Sequence, residues 1–160
     1  MKVPKYGLYA GTAVTIEMPV GASEVFKYKS GCFVKPDGSG RVEVVADAST
    51  AAIGWANTAE RTASSTEGAD KVGVDVSYSN IYEIPATIGA GTVPTDAALT
   101  AAVGESCDIQ VASNVVYAEV DGSSQDVLLI LGWYSYGTTL GNKVVRVQRI
   151  PVNTTYTGVA

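Results

Sequence analysis

Residues 71–76 read Lys-Val-Gly-Val-Asp-Val, and Ile-Tyr-Glu-Ile-Pro follows at residues 81–85. Strict alternation of valine with other residues is typical of an antiparallel strand with one buried face, because successive side chains of a strand point to opposite sides. The second run completes the unit. Together with a composition rich in valine, isoleucine, threonine and tyrosine, these runs predict an all-β chain.

A hairpin is predicted upstream of this stretch. Residues 31–35 form a mostly apolar run, residues 36–40 read Pro-Asp-Gly-Ser-Gly, and residues 41–45 alternate as a return strand. Proline presets the backbone φ angle, aspartate caps the turn, and glycine accepts a positive φ. The pair Gly54-Trp55 follows, and the missing glycine side chain is expected to leave space for a large neighbour.

The second half of the sequence repeats this order of features. Each half contains a cysteine, a Gly-Trp pair, a Lys-Val strand start and an Ile-Pro pair, at Cys32, Gly54-Trp55, Lys71-Val72 and Ile84-Pro85, then at Cys107, Gly132-Trp133, Lys143-Val144 and Ile150-Pro151. A recurring order is the signature of repeated architecture. We therefore predict one β domain over residues 21–160, made of two related halves at about 30–87 and 103–155. The alternative is two unrelated sheets with similar strands.

Four side chains are predicted to lie in the core. Trp55 and Trp133 are expected to be matched core anchors, since aromatic residues dominate cores. The alternative is an exposed pair of rings that stack on a sugar. Cys32 and Cys107 are expected to be buried reduced thiols, because the N-terminal residues do not resemble a secretion signal. A disulfide between them is the alternative.

One short helix is predicted between the halves. Thr95 or Asp96 provides a cap, residues 97–102 are rich in alanine, and Gly104 ends the segment. These are the start and stop signals of a helix. It is the only helix that the sequence predicts.

Composition argues against several functions. Eleven Lys and Arg residues against sixteen Asp and Glu give a net charge of −5, and the basic residues form no run, so we expect no nucleic-acid partner. No stretch approaches the roughly twenty apolar residues of a membrane span, so we expect no membrane partner. The absence of histidine removes histidine-based triads and imidazole metal sites. We therefore predict no enzymatic activity, no catalytic residue, no metal and no cofactor.

Carboxylates are the remaining candidates for chemistry. Glu60, Glu67, Asp75 and Glu83 provide candidate pairs for sugar hydrolysis, but their sequence surroundings lack the aromatic and polar character of a sugar cleft. The loop from Asp121 to Asp126 offers two carboxylates for calcium without the full ligand series of an EF-hand. Its Asp-Gly start favours a polar hairpin turn instead.

One order of motifs is similar to that of a known family. Gly31-Cys-Phe-Val, a turn, Ala52-Ile-Gly-Trp-Ala, Lys71-Val-Gly-Val-Asp-Val and Tyr82-Glu-Ile-Pro-Ala follow one another, and residues 103–150 match more loosely, with Leu131-Gly132-Trp133 in the corresponding place. This order resembles the capsid cement, or head decoration, proteins of tailed bacteriophages. The resemblance implies a β-tulip or β-barrel-like domain.

The resemblance also implies a function and a partner. Such a protein binds the major capsid protein on the outer surface of a phage head, commonly as a homo-trimer, after assembly in the host cytoplasm. An extended N-terminal arm, residues 1–20, would add a strand to a capsid-protein sheet. The residues expected to contact the capsid are Lys2, Tyr6, Tyr9, Val14 and Ile16. The alternative is a non-catalytic β-sandwich binding module, either an adhesin or a carbohydrate-binding domain.

Overall fold

A computed structural model describes residues 6–27, 31–47, 49–50, 52–89, 91–122 and 124–151. These residues form strands and one short helix, which confirms the all-β prediction. The elements are β1 (Gly7–Ala10), β2 (Thr15–Pro19), β3 (Val25–Phe26), β4 (Cys32–Pro36), β5 (Val42–Val44), β6 (Gly54–Asn57), β7 (Arg61–Thr62), β8 (Lys71–Asp75), β9 (Ile81–Thr87), α1 (Asp96–Ala101), β10 (Ser106–Ala112), β11 (Val115–Glu119), β12 (Leu128–Ser135) and β13 (Lys143–Arg149).

Five strands form an antiparallel sheet in the order β2-β8-β6-β4-β5. The predicted hairpin is its β4–β5 edge, where Val34 lies opposite Val44. The turn follows the expected chemistry, because the Asp37 carboxylate accepts the backbone N–H groups of Ser39 at 2.7 Å and Arg41 at 3.1 Å. A separate two-stranded sheet pairs β3 with β7.

Six strands form a second sheet that closes on itself. Its order is β1-β9-β11-β10-β12-β13, and β13 also pairs with β9. The strands β9, β11, β10, β12 and β13 therefore form a closed, barrel-like ring in which only the β9–β11 pairing is parallel. Closure removes open edges from these strands.

Each half of the chain supplies four antiparallel strands in the same order. The first half gives β5-β4-β6-β8, and the second half gives β11-β10-β12-β13. In both halves the strand with the cysteine lies between the next two strands of the sequence. The strand order is therefore repeated, whereas a common origin of the halves stays a prediction.

The N-terminal segment differs from the predicted arm. Within residues 7–19, β1 pairs with β9 and β2 pairs with β8, so the segment belongs to both sheets. Leu8 lies opposite Tyr82 and Ile16 opposite Val74, and the β1–β9 ladder shifts register between Leu8 and Ala10. The prediction of a free arm is therefore wrong for residues 7–19. The reason is that β8 would otherwise be an edge strand of its sheet, and the first residues of β9 have no other strand on the side opposite β13, so each pairs with part of the segment.

The predicted turn at Asp121-Gly122 is also different. The hairpin of this half turns at Ser113 and Asn114, which join β10 to β11 with positive φ angles of 51° and 63°. Two consecutive residues with positive φ are typical of a two-residue hairpin turn. The described residues of the 121–126 loop wrap instead around Asp108, whose carboxylate accepts the backbone N–H groups of residues 124, 125 and 126.

The short helix lies where the sequence predicts it. Thr95 caps α1 by accepting the Ala98 backbone N–H at 3.1 Å, and Leu99 is fully buried. This part of the prediction is confirmed. The helix carries Leu99 into the core, Ala97 and Ala101 are exposed, and Ala102 just after the helix is buried.

The core lies between the two large sheets. Phe33 and Trp55 of the five-stranded sheet meet Tyr82 of the closed sheet, and Trp55 stacks on Tyr82 with ring centres 5.1 Å apart. Arg149, at the end of β13, donates hydrogen bonds to the carbonyl oxygens of Ala52 at 2.9 Å and Val76 at 2.6 Å. Aromatic packing and a buried guanidinium therefore join the two sheets.

Candidate partner-binding edge

The longest run of exposed residues in the described chain is the stretch that we call the edge ribbon, residues 9–17. Every residue in it is exposed, although both of its strands are paired on their other side. A paired strand with an open side presents backbone groups that a further strand can bind. The edge ribbon therefore has the basic geometry of a strand-addition site.

Alternate residues of β2 point their backbone groups outward. The Val14 carbonyl oxygen accepts the Val76 N–H at 3.0 Å, and the Val20 N–H donates to the Asp70 carbonyl oxygen at 2.9 Å. Because backbone direction alternates along a strand, even-numbered residues face β8 and odd-numbered residues face away. Thr15 and Glu17 are thus the two β2 residues whose backbone N–H groups face outward. Pro19 lacks this donor and ends the row.

The ribbon also presents apolar side chains. Tyr9 is 44%, Val14 57% and Ile16 49% exposed. Ile16 lies opposite Val74, which is fully buried, so the apolar surface of the core continues to the open edge at Ile16. Exposed apolar side chains on an unprotected edge are typical of an interaction surface.

The five residues predicted to contact a partner have different positions. Tyr9, Val14 and Ile16 lie together on the edge ribbon. Tyr6 is half-buried, and its hydroxyl donates a hydrogen bond to the Gly141 carbonyl oxygen, so it fastens the start of β1 to the turn before β13. Lys2 lies outside the described residues.

Asp75 fixes the ribbon to the core. Its carboxylate accepts hydrogen bonds from the Val14 and Ser77 backbone N–H groups, the Asn80 amide and the Tyr82 hydroxyl. Burial opposes ionisation of this carboxyl, but the hydrogen bonds, led by those from Tyr82 and Asn80, lower its pKa overall. The sequence gives no sign of this role, because an aspartate in an alternating strand is expected to face water.

A small cavity lies beside the ribbon. It has a volume of about 210 Å³ and is lined by Tyr6, Leu8, Ala13, Trp55, Asn57, Asp75 and Tyr82. Both Asp75 oxygens already accept hydrogen bonds, so the cavity offers mainly apolar walls. It is smaller than the roughly 300–1,000 Å³ typical of small-molecule sites. Its size suits one apolar side chain rather than a sugar or a nucleotide.

The two tryptophans do not occupy equivalent positions. Trp55 is 3% exposed and lies between Phe33 and Tyr82, whereas Trp133 is only partly buried against the core. In the first half, the residue opposite Cys32 on the neighbouring strand is Ala56, which directly follows Trp55. In the second half, the residue opposite Cys107 is Leu128, which comes five residues before Trp133. The two rings are therefore not equivalent: Trp55 lies within the core and provides no exposed platform for a sugar, whereas Trp133 packs against the core and is only partly buried.

Three of the four carboxylates considered for chemistry, Glu67, Asp75 and Glu83, have structural partners, and the fourth, Glu60, is exposed. Glu83 is fully buried and faces Arg146, while Glu67 pairs with Arg41 and accepts the Ala22 N–H.

A second cavity, a cleft of about 480 Å³, contains the carboxylates of Glu24 and Asp47. Each of these accepts a backbone N–H, from Val44 and Val111 respectively. Burial, followed by nearby carboxylates, raises the pKa of Glu24 despite that hydrogen bond.

The described residues contain no group of three or more potential metal ligands. Among them, too, no helix has the length and apolar character needed to cross a membrane. Both cysteines are buried free thiols, so the structure does not show the alternative of a disulfide.

The chain matches no protein-family model, no curated protein and no solved structure.

Proposed function

We propose that the protein is a non-catalytic structural protein that binds the outer surface of a phage head and reinforces its shell. Its partner is the major capsid protein, and its location is the virion surface, reached after assembly in the host cytoplasm. The observation that supports this proposal is the edge ribbon, where outward backbone donors at Thr15 and Glu17 lie beside the exposed Val14 and Ile16 side chains. Such an edge binds an extended segment through main-chain hydrogen bonds.

The remaining chemistry of the chain is consistent with this role. A shell-binding protein needs no general base, and the sequence has no histidine to provide one. Its net charge of −5 disfavours binding to the nucleic acid around an assembling head. A homo-trimer would multiply weak contacts by placing three edges on the shell at once.

Co-sedimentation with intact phage heads tests the proposal. Deletion of residues 1–20 is unsuitable because it removes β1 and β2. The double variant Val14→Lys/Ile16→Lys instead changes only exposed side chains of the edge ribbon. Its control is Val103→Lys/Leu140→Lys, which adds the same charge at apolar residues that are 43% and 37% exposed elsewhere.

We expect the wild type and the control to sediment with heads, and the ribbon variant to stay in the supernatant. Circular dichroism and melting temperature should show that all three proteins are folded. Failure of the wild type to sediment would refute the head-binding proposal. Equal sedimentation of all three proteins would retain head binding but reject the edge ribbon as the contact.

A further inference from the structure

The outer face of the closed sheet carries a second feature, a row of residues across four strands. Gly7 of β1 lies opposite Glu83 of β9, Glu83 lies opposite Arg146 of β13, and Arg146 lies opposite Gly132 of β12. Residues opposite each other in a sheet share a face. The neighbours Val145 and Val147 belong to the core, so Arg146 points away from it. The row therefore places two charged side chains between two glycines on the outside.

Glu83 and a tyrosine hold the guanidinium in place. The Glu83 side chain is 1% exposed, and its Oε2 lies 3.5 Å from Arg146 Nε. The guanidinium carbon of Arg146 lies 4.1 Å from the centre of the Tyr9 ring, a distance typical of cation–π stacking. The Tyr136 hydroxyl donates to Glu83 Oε1 at 2.9 Å, which fixes the carboxylate from the other side.

The outer edge of Arg146 is not used within the described chain. Its side chain is 29% exposed, and its ion pair and ring contact among the described residues are with Glu83 and Tyr9. Its two Nη atoms therefore keep donors that can bind two oxygens of a planar group. Because both partners restrict the guanidinium, a ligand would order little additional side chain, which favours binding.

The surroundings of Arg146 are open and aromatic. A Cβ atom at Gly132 would meet no atom of other residues within 4 Å, apart from its chain neighbours, so there is open space directly at this glycine. Tyr134, two residues further on β12, is 38% exposed and packs edge-on against Tyr136 at 4.6 Å. Tyrosine and arginine are the residue types that dominate binding energy at protein interfaces.

We propose that this face, centred on Arg146 and walled by Tyr9 and Tyr134, binds an aspartate or glutamate side chain of a protein partner. The carboxylate would lie in the plane of the guanidinium, above Gly132, and accept hydrogen bonds from the Nη donors. The positive charge of Arg146 favours an acidic partner. Glu83 already contacts the inner edge of the guanidinium, so the partner's carboxylate would bind the outer edge. The site shares Tyr9 with the edge ribbon, but it uses neither the outward backbone groups of Thr15 and Glu17 nor the side chains of Val14 and Ile16. It therefore does not depend on the function proposed for the ribbon.

Gly132 makes a sharp test available. The variant Gly132→Glu places a carboxylate of the chain itself directly opposite Arg146, where it occupies the site without touching its walls. The variant Gly132→Ala adds a methyl group without a carboxylate and serves as the control. Neither change meets a neighbouring atom at Cβ, so both proteins should fold, as amide NMR spectra will show.

The experiment follows the Arg146 Nε–Hε signal of the full-length ¹⁵N-labelled protein during peptide titrations. The probes are acetyl-Val-Glu-Val-amide and its neutral isostere acetyl-Val-Gln-Val-amide, and the variant Arg146→Lys assigns the signal. We expect a saturable shift with the glutamate peptide and binding weaker by about tenfold or more with the glutamine peptide, because the charge-assisted pair is lost. Gly132→Ala should bind like the wild type, and Gly132→Glu should lose binding by a similar factor.

Three results would overturn the proposal. They are no saturable shift with the glutamate peptide, equal binding of the two peptides, and equal binding by Gly132→Glu and Gly132→Ala. Because the probes are peptides rather than phage heads, these results leave the head-binding test unaffected.

Discussion

Val14 donates its backbone N–H to the Asp75 carboxylate at 3.0 Å, so the edge ribbon is fixed by the same buried group that receives the Tyr82 hydroxyl. Asp75 thus links the exposed edge ribbon to the aromatic centre of the core. The ordered position of the ribbon depends on this carboxylate as well as on strand pairing.

Asp75 should therefore control stability in acid. Its pKa is lowered on folding, so the ionised carboxylate stabilises the native protein above the unfolded pKa of about 3.9, and this contribution is lost as the pH falls through the lower folded value. We expect Asp75→Asn to cost about 1.5–3 kcal/mol near pH 7, because charge-assisted hydrogen bonds are replaced by neutral ones. Urea unfolding between about pH 2 and pH 7 measures both effects. A variant as stable as the wild type at neutral pH would contradict this role.

The two Gly-Trp pairs should respond differently to substitution of the glycine. A Cβ at Gly54 would lie 2.4 Å from the Asp75 carbonyl oxygen, whereas a Cβ at Gly132 meets nothing within 4 Å. We expect Gly54→Ala to lower the free energy of unfolding by about 1–3 kcal/mol through overpacking. Gly132→Ala should change it by less than about 0.5 kcal/mol. Chemical denaturation of both variants provides the comparison. Equal losses in the free energy of unfolding would show that the two Gly-Trp pairs have equivalent surroundings.

The tryptophans themselves provide an independent comparison. Trp55→Ala should cost about 3–5 kcal/mol, since it removes a fully buried ring between Phe33 and Tyr82. Trp133→Ala should cost distinctly less, because Trp133 is only partly buried. Urea unfolding monitored by circular dichroism measures both losses. A larger loss in the free energy of unfolding for Trp133→Ala than for Trp55→Ala would contradict the placement of Trp55 at the centre of the core.

Both thiols should be inert in the native protein. Burial, with a smaller contribution from nearby carboxylates, raises the pKa of Cys32 and of Cys107 to about 12. Since the thiolate is the reactive form, iodoacetamide at about pH 8 should modify neither thiol until urea unfolds the chain. The variant Ser39→Cys, with an exposed thiol in the β4–β5 turn, is the positive control for mass spectrometry. Rapid modification of native Cys32 or Cys107 would show that its strand opens.

Local signals in the sequence predicted local structure well. Asp37 and the glycines beside it predicted the β4–β5 turn, and Thr95 predicted the helix cap, because each signal acts over a few residues. The alternation of residues 71–76 predicted a strand but not the burial of Asp75. That burial arises because the closed sheet covers the face on which Asp75 lies, and no local signal specifies this contact.

Long-range features were not available from the sequence. The β13–β9 pairing that closes the second sheet joins Val145 to Ile84 across the chain, and nothing local specifies it. The order of cysteines predicted a repeated strand order, but the Gly-Trp pairs are at different positions within it. The candidate contacts Tyr9, Val14 and Ile16 are exposed, whereas their contact with a partner stays a prediction. The predicted reason, a free arm, was wrong because β8 and β9 bind the segment.

Amide hydrogen exchange on head-bound protein tests the central claim, strand addition at the edge ribbon, most directly. In free protein the outward N–H groups of Thr15 and Glu17 should exchange rapidly, while the Ile16 N–H, which faces β8, should be protected. Binding to phage heads should slow exchange at Thr15 and Glu17 and leave the exposed turn at Ser39 unchanged. Bound protein whose Thr15 and Glu17 amides exchange as fast as in free solution would contradict the account.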